Sequence, residues 1–593
     1  MKINAIYFFL ILFGLNFTYG FSQNAFITIW RTDNLGASLN NQILVPGTGE
    51  EYFIEWEEVD DPTNSGMQMG NDYTLVTFPQ PGTYRVSISG DFNRIEFNNE
   101  GDRRKILSIE QWGDIEWASM ASAFYGCEFL RVIANDAPDL SRVANMSNMF
   151  ASCRIMNDSL SHWDVSNVKN MSGLFRGANS FNQSIEVWDV SGVENISEMF
   201  LDAFSFNQPL GNWNVSSITD MSRVFSFAWR FNQSLNDWDI SNVETTHGMF
   251  RSAFDFNQPL SDWDVSNVTD MSEMFWESYS FVQELSNWDV SNVTDMNRMF
   301  AQSTFNQSIE NWDVANVRNM RGMFSSSQFN QPLNNWNVSN VTDIAAMFSR
   351  AHSFNQPLNQ WDVSNVIWMQ QIFSRATSFN QNINSWNVSN ALWMNRVFHE
   401  ATSFNQPLDN WDVSGVTQMI SMFKNATSFN QPIGNWDVSN VYDMREMFSG
   451  ATIFNQPLND WDVSSLITMH YIFHRATFFN QPLDDWDVSN VRSIWGMFSS
   501  ASSFDQNLGM WNLTGLDGNF FLNEMFDHSG MSCESYDLTL RGWNANPLTP
   551  DNLILGAEGI AYRDAAAARD SLINIKGWTI TGDRLVTVWI MRH

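Results

Sequence analysis

Residues 256–280, FNQPLSDWDVSNVTDMSEMFWESYS, are one copy of a 25-residue motif that recurs along most of the chain. Its tryptophan recurs fifteen times, and twelve of the fourteen intervals are 25 residues, while the two that meet at Trp312 are 24. A fixed period of this size is typical of stacked units that each bury an apolar face only against their neighbours. The sequence therefore predicts one long repeat array. The recurring residues are Trp163, Trp188, Trp213, Trp238, Trp263, Trp288, Trp312, Trp336, Trp361, Trp386, Trp411, Trp436, Trp461, Trp486 and Trp511.

Each copy of the 25-residue motif contains two patterns of apolar residues. Residues 260–265 place Leu, Trp and Val at the spacing of a half-buried strand, and Ser266 and Asn267 follow as a turn. Asp270 has the place of a helix N-cap before residues 271–278, where apolar or small residues recur at i, i+3, i+4 and i+7. We therefore predict an α/β solenoid of 25-residue coils. Each coil would add one strand to a parallel sheet and one short helical segment.

Stacked coils align equivalent residues in columns. The tryptophan column is predicted to be the main element of the core, because each indole can bury a large apolar surface. The column that contains Asn257 and Gln258 is predicted to satisfy backbone groups at a corner, where Pro259 turns the chain.

A column of carboxylates follows the tryptophans, with Asp in eleven copies and Asn in four. Stacked carboxylates repel, so each favours a nearby cation or hydrogen-bond donor. One interpretation is a Ca²⁺ or cationic-ligand face, with Asp264, Asp289 and Asp313 as candidate metal ligands. The other is that these side chains accept hydrogen bonds from serines or backbone N–H groups of the neighbouring coil. We favour the second and predict no cofactor, because Ca²⁺ usually takes six or more oxygen ligands.

Composition narrows the range of partners. The 593 residues carry a formal net charge of −34, which argues against binding to nucleic acids or anionic membranes. With 44% hydrophobic and 16% charged residues, the chain is expected to fold. Three cysteines do not make a disulfide scaffold. Cys127 and Cys153 lie at matching places of neighbouring repeats and are interpreted either as a disulfide or, preferably, as buried small residues.

The flanks of the array carry other patterns. A lysine followed by an apolar run predicts a signal peptide, hence an exported protein that is not inserted in the membrane after cleavage. Near the C-terminus, residues 585–589 echo residues 26–30 and suggest the truncated start of a second module. The predicted organisation is a signal peptide at 1–22, a β-domain at 24–100, the array at 104–535, a C-terminal cap with a helix and a strand at 536–583, and the truncated module at 584–593.

Two resemblances to known families follow from these motifs. The pattern L-x-x-W-x-V-S-x-x-V-x-x-M-x-x-M-F-x-x-A, with residues 123–127 (AFYGC), resembles the BspA-like leucine-rich repeat of bacterial surface proteins. Residues 73–90, YTLVTFPQPGTYRVSISG, resemble the closing hairpin of a PKD-like immunoglobulin-type sandwich. These resemblances imply a leucine-rich-repeat-type fold, a PKD-like domain at 24–100, and a role in adhesion or interaction at the cell surface.

No motif of a hydrolase, a nucleotide-binding loop or a metalloprotease occurs, so we predict that the protein is not an enzyme. The expected function is adhesion, or binding of a protein or glycan, by a monomer. The alternative is a spacer that projects the N-terminal domain, and a secreted hydrolase is the third, least favoured reading. Aromatic residues at positions that are small or polar in other copies are the candidate binding residues, with extra packing as the alternative. They are Trp229, Trp276, Trp368, Trp393 and Trp495.

Overall fold

The structure, a computed structural model, describes residues 24–516 and 522–586. The chain divides into two compact units, residues 1–168 and 169–593. The predicted signal peptide and residues 587–593 of the predicted second module lie outside the described residues. Across the described ranges, no helix is both long and apolar enough to cross a bilayer.

The first unit is built from β-strands with alternating burial. In β4 (Tyr52–Glu58), for example, Tyr52 and Ile54 are buried, whereas Phe53 between them is exposed. The other strands are β1 (Phe26–Arg31), β2 (Gln42–Val45), β3 (Gly47–Thr48), β5 (Ser65–Gly70), β6 (Thr74–Thr77), β7 (Thr83–Gly90), β8 (Arg94–Ile95), β9 (Ile106–Gln111) and β10 (Arg131–Val132). One sheet has the order β10–β9–β1–β7–β4–β5, and β2–β6 and β3–β8 form two small antiparallel pairs.

This sheet continues into the segment predicted to begin the repeats. Strand β9 pairs antiparallel with β1 of the N-terminal segment and parallel with β10, where Val132 lies opposite Ile109. The boundary predicted at residues 100–104 is therefore crossed by one continuous sheet. Nearby, Cys127 and Cys153 are buried free thiols, and burial raises the pKa of both. The interpretation as buried small residues is the one the structure shows.

A fully buried ion pair holds an irregular segment of the first unit in place. Lys105 Nζ lies 3.7 Å from Asp102 Oδ1, and both side chains have no exposed surface. The ammonium donates to the carbonyl oxygens of Ser38, Leu39 and Gln42. The carboxylate accepts from the backbone N–H groups of Ser38 and Leu44. Two opposite charges thus fix the backbone of residues 38–44.

The second unit contains most of the repeats, and each coil is a succession of tight turns. In one coil the N–H of Trp263 donates to the carbonyl of Leu260 (3.3 Å), and the N–H of Val268 donates to that of Val265 (2.9 Å). These local bonds use N–H groups that a strand would offer to its neighbours. The predicted strand at residues 260–265 is therefore wrong. Parallel β-pairing between coils is limited to a bridge of one residue each, such as Asp270 with Asp295.

The predicted helical segment at residues 271–278 is also wrong. Glu273 and Glu277 have φ of 59° and 60°, the left-handed region that interrupts a right-handed helix. Because of this reversal, the N–H groups of Glu273 and Phe275 point to the next coil, where they donate to Asn297 (2.8 Å) and Met299 (2.9 Å). The turns still bury Met271, Met274 and Phe275, as a helix would have done.

The predicted α/β solenoid of leucine-rich-repeat type is thus not the fold. Regular structure is mostly β, in several small sheets, and the described repeats contain no helix. Within the described ranges, the helices are α1 (Cys533–Ala545) and α2 (Ala566–Asn574), which follow the repeats. Strands β11 (Ile554–Gly556) and β13 (Thr579–Thr581) pair in parallel beside them, as do β12 (Ala561–Tyr562) and β14 (Arg584–Leu585).

Aromatic columns form the core of the repeat array, by which we mean residues 169–516. Trp263 and Trp288 stack with centroids 6.4 Å apart at an interplanar angle of 5°. The indole N–H of Trp263 donates to the carbonyl of Leu235 in the preceding coil (2.8 Å). A column of phenylalanines runs beside the tryptophans, with Phe250 5.7 Å from Phe275. The predicted tryptophan core is confirmed.

The predicted Asn-Gln column is confirmed as well, and its geometry is directional. Asn232 Oδ1 accepts from the backbone N–H of Asn257 (3.0 Å) and from Nε2 of Gln258 (3.0 Å), both in the following coil. At the end of the array Asp505 takes the place of Asn and accepts from the N–H of Ser532, the N-cap of α1. We call this column the amide ladder.

Candidate binding surfaces

One predicted binding residue, Trp229, lies in a column of four partly exposed rings on consecutive coils. Its ring centroid lies 4.1 Å from that of Phe204 and 5.7 Å from that of Phe254, and Phe254 lies 5.3 Å from Tyr279. The interplanar angles are 15°, 19° and 21°, so the rings stack face to face. Trp229 is 39% exposed and Tyr279 49%. We call these four residues the aromatic ladder.

The repeats do not need aromatic residues at this position. Later coils carry a threonine there, and Thr402 and Thr477 donate to the carbonyls of Thr377 (3.5 Å) and Thr452 (3.0 Å) in the preceding coils. In these later coils, a threonine hydroxyl links neighbouring coils at the position that carries an aromatic ring in the ladder. The other three members, Phe204, Phe254 and Tyr279, are not among the predicted binding residues, although they lie at 25-residue intervals from Trp229 and from one another.

Trp276 lies on another face of the array, between two guanidinium groups. The Arg251 Cζ atom is 3.9 Å from the ring centroid, and that of Arg298 is 4.9 Å away. Glu273 pairs with both arginines, at 2.8 and 3.9 Å. The ring is half-buried and its faces are occupied by cations, which gives it a packing role through cation–π contacts.

Trp368 and Trp393 occupy the bridge position of neighbouring coils and pair with each other there. Trp368 is half-buried and Trp393 is 37% exposed, next to Leu392 at 42%. A shallow groove of about 550 Å³ passes beside them. It is lined by Arg318, Asn340, Thr342, Asn365, Ile367, Asn390 and Leu392.

Trp495 lies near the end of the array, with its centroid 6.1 Å from that of Tyr471, and is 37% exposed. The five predicted tryptophans therefore do not meet at one site. They divide among the aromatic ladder, the cation-covered turn of Trp276, the groove beside Trp393 and the end of the array.

The candidate metal ligands Asp264, Asp289 and Asp313 are each engaged in a local turn. Their Oδ1 atoms accept from the backbone N–H two residues later, at 3.0 Å in all three cases. We had predicted a donor from the neighbouring coil, but in all three cases the donor belongs to the same coil. In the described ranges, no group of three His, Cys, Asp or Glu side chains lies close enough together to hold a metal ion. Ca²⁺ binding by this column remains the alternative prediction.

These turns predict a dependence of stability on pH. Serine hydroxyls, and then backbone N–H groups, hold the pKa of Asp289, Asp362, Asp412 and Asp462 below the ordinary value of 3.8. A carboxylate with a lowered folded pKa contributes stability that is present above pH 3.8 and is lost as the pH falls through the folded value. We therefore expect the temperature of the thermal unfolding midpoint to fall when the pH is lowered below about 4.

A variant with all four aspartates replaced by asparagine isolates this contribution. Asparagine keeps the acceptor, as Asn214 does toward the N–H of Ser216 (3.2 Å). Differential scanning calorimetry from pH 5 to pH 2.5 should show a shallower decline of the midpoint in the variant than in the parent protein. Parallel declines would contradict the assignment.

Comparison with known families identifies the repeats. Six overlapping segments match the family model described as "Mycoplasma protein of unknown function, DUF285", and together they cover residues 118–537, more than two thirds of the chain. The chain belongs to this family. The matched segments are 118–228, 208–305, 279–377, 301–403, 356–452 and 428–537.

The DUF285 match corrects both resemblances drawn from the motifs. The array is not a BspA-like leucine-rich repeat, and no PKD model matches the N-terminal segment. A comparison with curated proteins finds no match for this DUF285 chain. The pattern L-x-x-W-x-V shares its apolar spacing with leucine-rich repeats, but here it folds into consecutive turns that use Trp and Met in place of aliphatic residues.

Proposed function

We propose that this protein is a non-enzymatic binding protein, exported to the cell surface or secreted, which attaches to a protein partner through the aromatic ladder. The observation that carries the proposal is the ladder itself. Four rings lie partly in solvent at a position where the same scaffold elsewhere uses a small hydrogen-bonding residue. Exposed aromatic residues that the fold does not require are typical of interaction sites, where Trp and Tyr supply most of the binding energy.

The stacking favours a protein over a glycan as the partner. Sugars bind aromatic residues by lying on a ring face, but both faces of Trp229 are covered by Phe204 and Phe254. The ladder therefore presents ring edges and the terminal hydroxyl group of Tyr279. Such an edge fits apolar side chains of a partner, with the hydroxyl available as a hydrogen-bond donor or acceptor.

Two substitutions test this proposal with little risk to folding. Trp229→Thr and Tyr279→Thr introduce the residue that later coils carry at the same position. Binding of the full chain to a panel of immobilised matrix proteins (collagen, fibronectin, laminin and mucin) is measured by biolayer interferometry. We expect at least one interaction that the double variant weakens about thirtyfold, the value for hot-spot residues worth about 2 kcal/mol together.

Phe478→Ser provides the matched control, because Phe478 is 61% exposed but lies outside the ladder. The control should bind as the parent protein does. Equal losses in both variants would indicate nonspecific hydrophobic adsorption. Binding that is confined to a glycan array would overturn the protein assignment, and no binding by the parent chain would favour the spacer function.

A further inference from the structure

The left-handed residues of each coil create a separate face with its own charge. For the coil at 271–278, the positions concerned are the left-handed residues Glu273 and Glu277 and the residue before each of them, Ser272 and Trp276; Ser272 is buried and the other three are half-buried. We call these positions and their equivalents in residues 169–516 the turn face. The aromatic ladder occupies a different position of the coil. Its residue Tyr279 follows Ser278, the small residue that ends the second turn.

Basic residues are concentrated on the turn face. It carries eleven of the fifteen lysines and arginines of the array, but only six of the 34 acidic residues. The basic residues are Arg176, Arg223, Arg251, Arg298, Arg321, Arg350, Arg375, Arg396, Lys424, Arg445 and Arg475. The acidic ones are Glu198, Asp202, Glu273, Glu277, Glu400 and Glu446. One face of a chain with net charge −34 is thus positive.

Within the described part of the chain, the turn face between Arg350 and Arg475 contains three arginines without a paired carboxylate. Arg350, Arg396 and Arg475 are exposed, and within residues 24–516 and 522–586 none has a carboxylate oxygen within 4.0 Å. Other cations of this region are paired: Arg375 with Glu400 (3.1 Å) and Lys424 with Glu446 (2.8 Å).

Most further groups near this region leave the sign unchanged; the carboxylate at its C-terminal end is Glu524, which accepts from the Tyr471 hydroxyl at 3.4 Å. At the adjoining bridge position Asp443 is paired with Arg445 at 2.8 Å, and Asp343 with Arg321 at 3.5 Å. Burial lowers the pKa of His399, which leaves it neutral at physiological pH. The same holds for the other two histidines of the turn face in this region, His470 and His474. The three unpaired guanidinium groups therefore give the local excess of positive charge.

Backbone geometry indicates that the fold does not require arginine at these positions. Arg350, Arg396 and Arg475 have φ of 58°, 57° and 56°. Glycine occupies equivalent positions in other coils, for example Gly450 and Gly496. An L side chain in this region costs about 1 kcal/mol relative to a right-handed conformation, and glycine avoids the cost. Unpaired arginines kept at strained positions are groups available to a ligand.

We propose that the turn face from Arg350 to Arg475 binds a linear sulfated polysaccharide laid along the stack of coils. Arg396 lies two coils after Arg350, and Arg475 lies three coils after Arg396. At about 4.8 Å per coil, a linear chain would meet unpaired guanidinium groups about 10 and about 14 Å apart, and their planar donors match the oxygens of an anionic group. A thin polyanion fits this face better than a nucleic-acid duplex or a vesicle. Either of those wider surfaces would bring phosphates within a Debye length of about 8 Å of the acidic flanks.

The test uses the full chain and dextran sulfate as the probe, with uncharged dextran of equal length beside it. In the variant Arg350→Gly/Arg396→Gly/Arg475→Gly, each glycine is a residue that the array already uses at that position. The matched control is Arg230→Ser/Arg318→Thr/Arg492→Thr, which removes three charges outside the turn face and inserts residues of other coils. Affinities come from isothermal titration calorimetry at 50 mM and 200 mM salt.

We expect dextran sulfate to bind the parent chain, more weakly at the higher salt concentration, and uncharged dextran not to bind. The glycine variant should lose at least tenfold in affinity and the control less than threefold. Equal losses in the two variants, or absent binding by the parent, would overturn the proposal. Tighter binding of a DNA oligonucleotide or of phosphatidylserine vesicles than of dextran sulfate would overturn the choice of polysaccharide. The aromatic ladder is intact in both variants, so this test is independent of the proposed protein partner.

Discussion

Replacing Asp102 by alanine is expected to lower the free energy of unfolding of the first unit by about 3–5 kcal/mol. The substitution leaves the Lys105 ammonium in a fully buried place without its counter-charge. It also removes the acceptor of the N–H groups of Ser38 and Leu44, which then lie beside an apolar methyl group. Loss of one partner of a buried pair costs more than the pair itself contributes, because the remaining charge stays desolvated.

The double variant Asp102→Leu/Lys105→Met is the appropriate control, since it removes both charges and keeps most of the volume. We expect it to be markedly more stable than Asp102→Ala. Hydrogen exchange of the full chain in increasing denaturant, read by mass spectrometry on peptides from β1 and β9, reports the first unit by itself. A loss below about 1 kcal/mol in the single variant would contradict a structural role for the pair.

The second large effect is expected in the tryptophan column. Trp361 is 3% exposed, stacks on Trp386 with centroids 6.2 Å apart, and donates its indole N–H to the carbonyl of Leu333 at 2.8 Å. Trp361→Ala should cost about 3–5 kcal/mol, because it opens a cavity and removes one of the two hydrogen bonds that this carbonyl accepts, the other coming from the backbone N–H of Trp336. Since coils contact only their neighbours, the damage should remain local and weaken the coupling between the two sides of the array.

Chemical denaturation followed by far-ultraviolet circular dichroism measures this effect. The expected result is a lower first midpoint and a transition that separates into two steps. The neighbouring variant Asp362→Asn serves as a control, because other coils carry asparagine after the tryptophan. It should change the unfolding free energy by less than about 0.5 kcal/mol. A single, unshifted transition for Trp361→Ala would show that the column is not the main source of cohesion.

The period alone predicts the columns of this fold but not its local conformation. Met271, Met274 and Phe275 are buried as expected because their spacing places them on one side in either a helix or a pair of turns. The pattern cannot distinguish the two. The distinguishing signal is the sign of φ, which appears in the sequence as glycines that recur at two fixed positions, as in Gly173 and Gly177. Read down the coils, those glycines would have excluded a helix.

The candidate surfaces were predictable in part, for a similar reason. Trp229 stands out within its own repeat, whereas the aromatic ladder becomes visible only when one position is compared across four coils. The cation–π contacts of Trp276 could not be predicted from the sequence. The turns bring Arg251 and Arg298, which hold different positions in their own repeats, onto the same indole from the two neighbouring coils.

The amide ladder has a consequence for how genes of this kind can change. Most internal junctions repeat the same pair of bonds, in which an Asn Oδ1 accepts from a backbone N–H and from a Gln side chain of the following coil, so a cut after one such Asn exposes the same surface as a cut after another. Loss or duplication of one regular 25-residue unit rejoins matching ends. We expect homologous genes to differ in copy number by whole units, with the length of the product set by recombination and the two termini preserved. Val282, which replaces Asn and has no amide to offer, marks a place where such exchange would not be neutral.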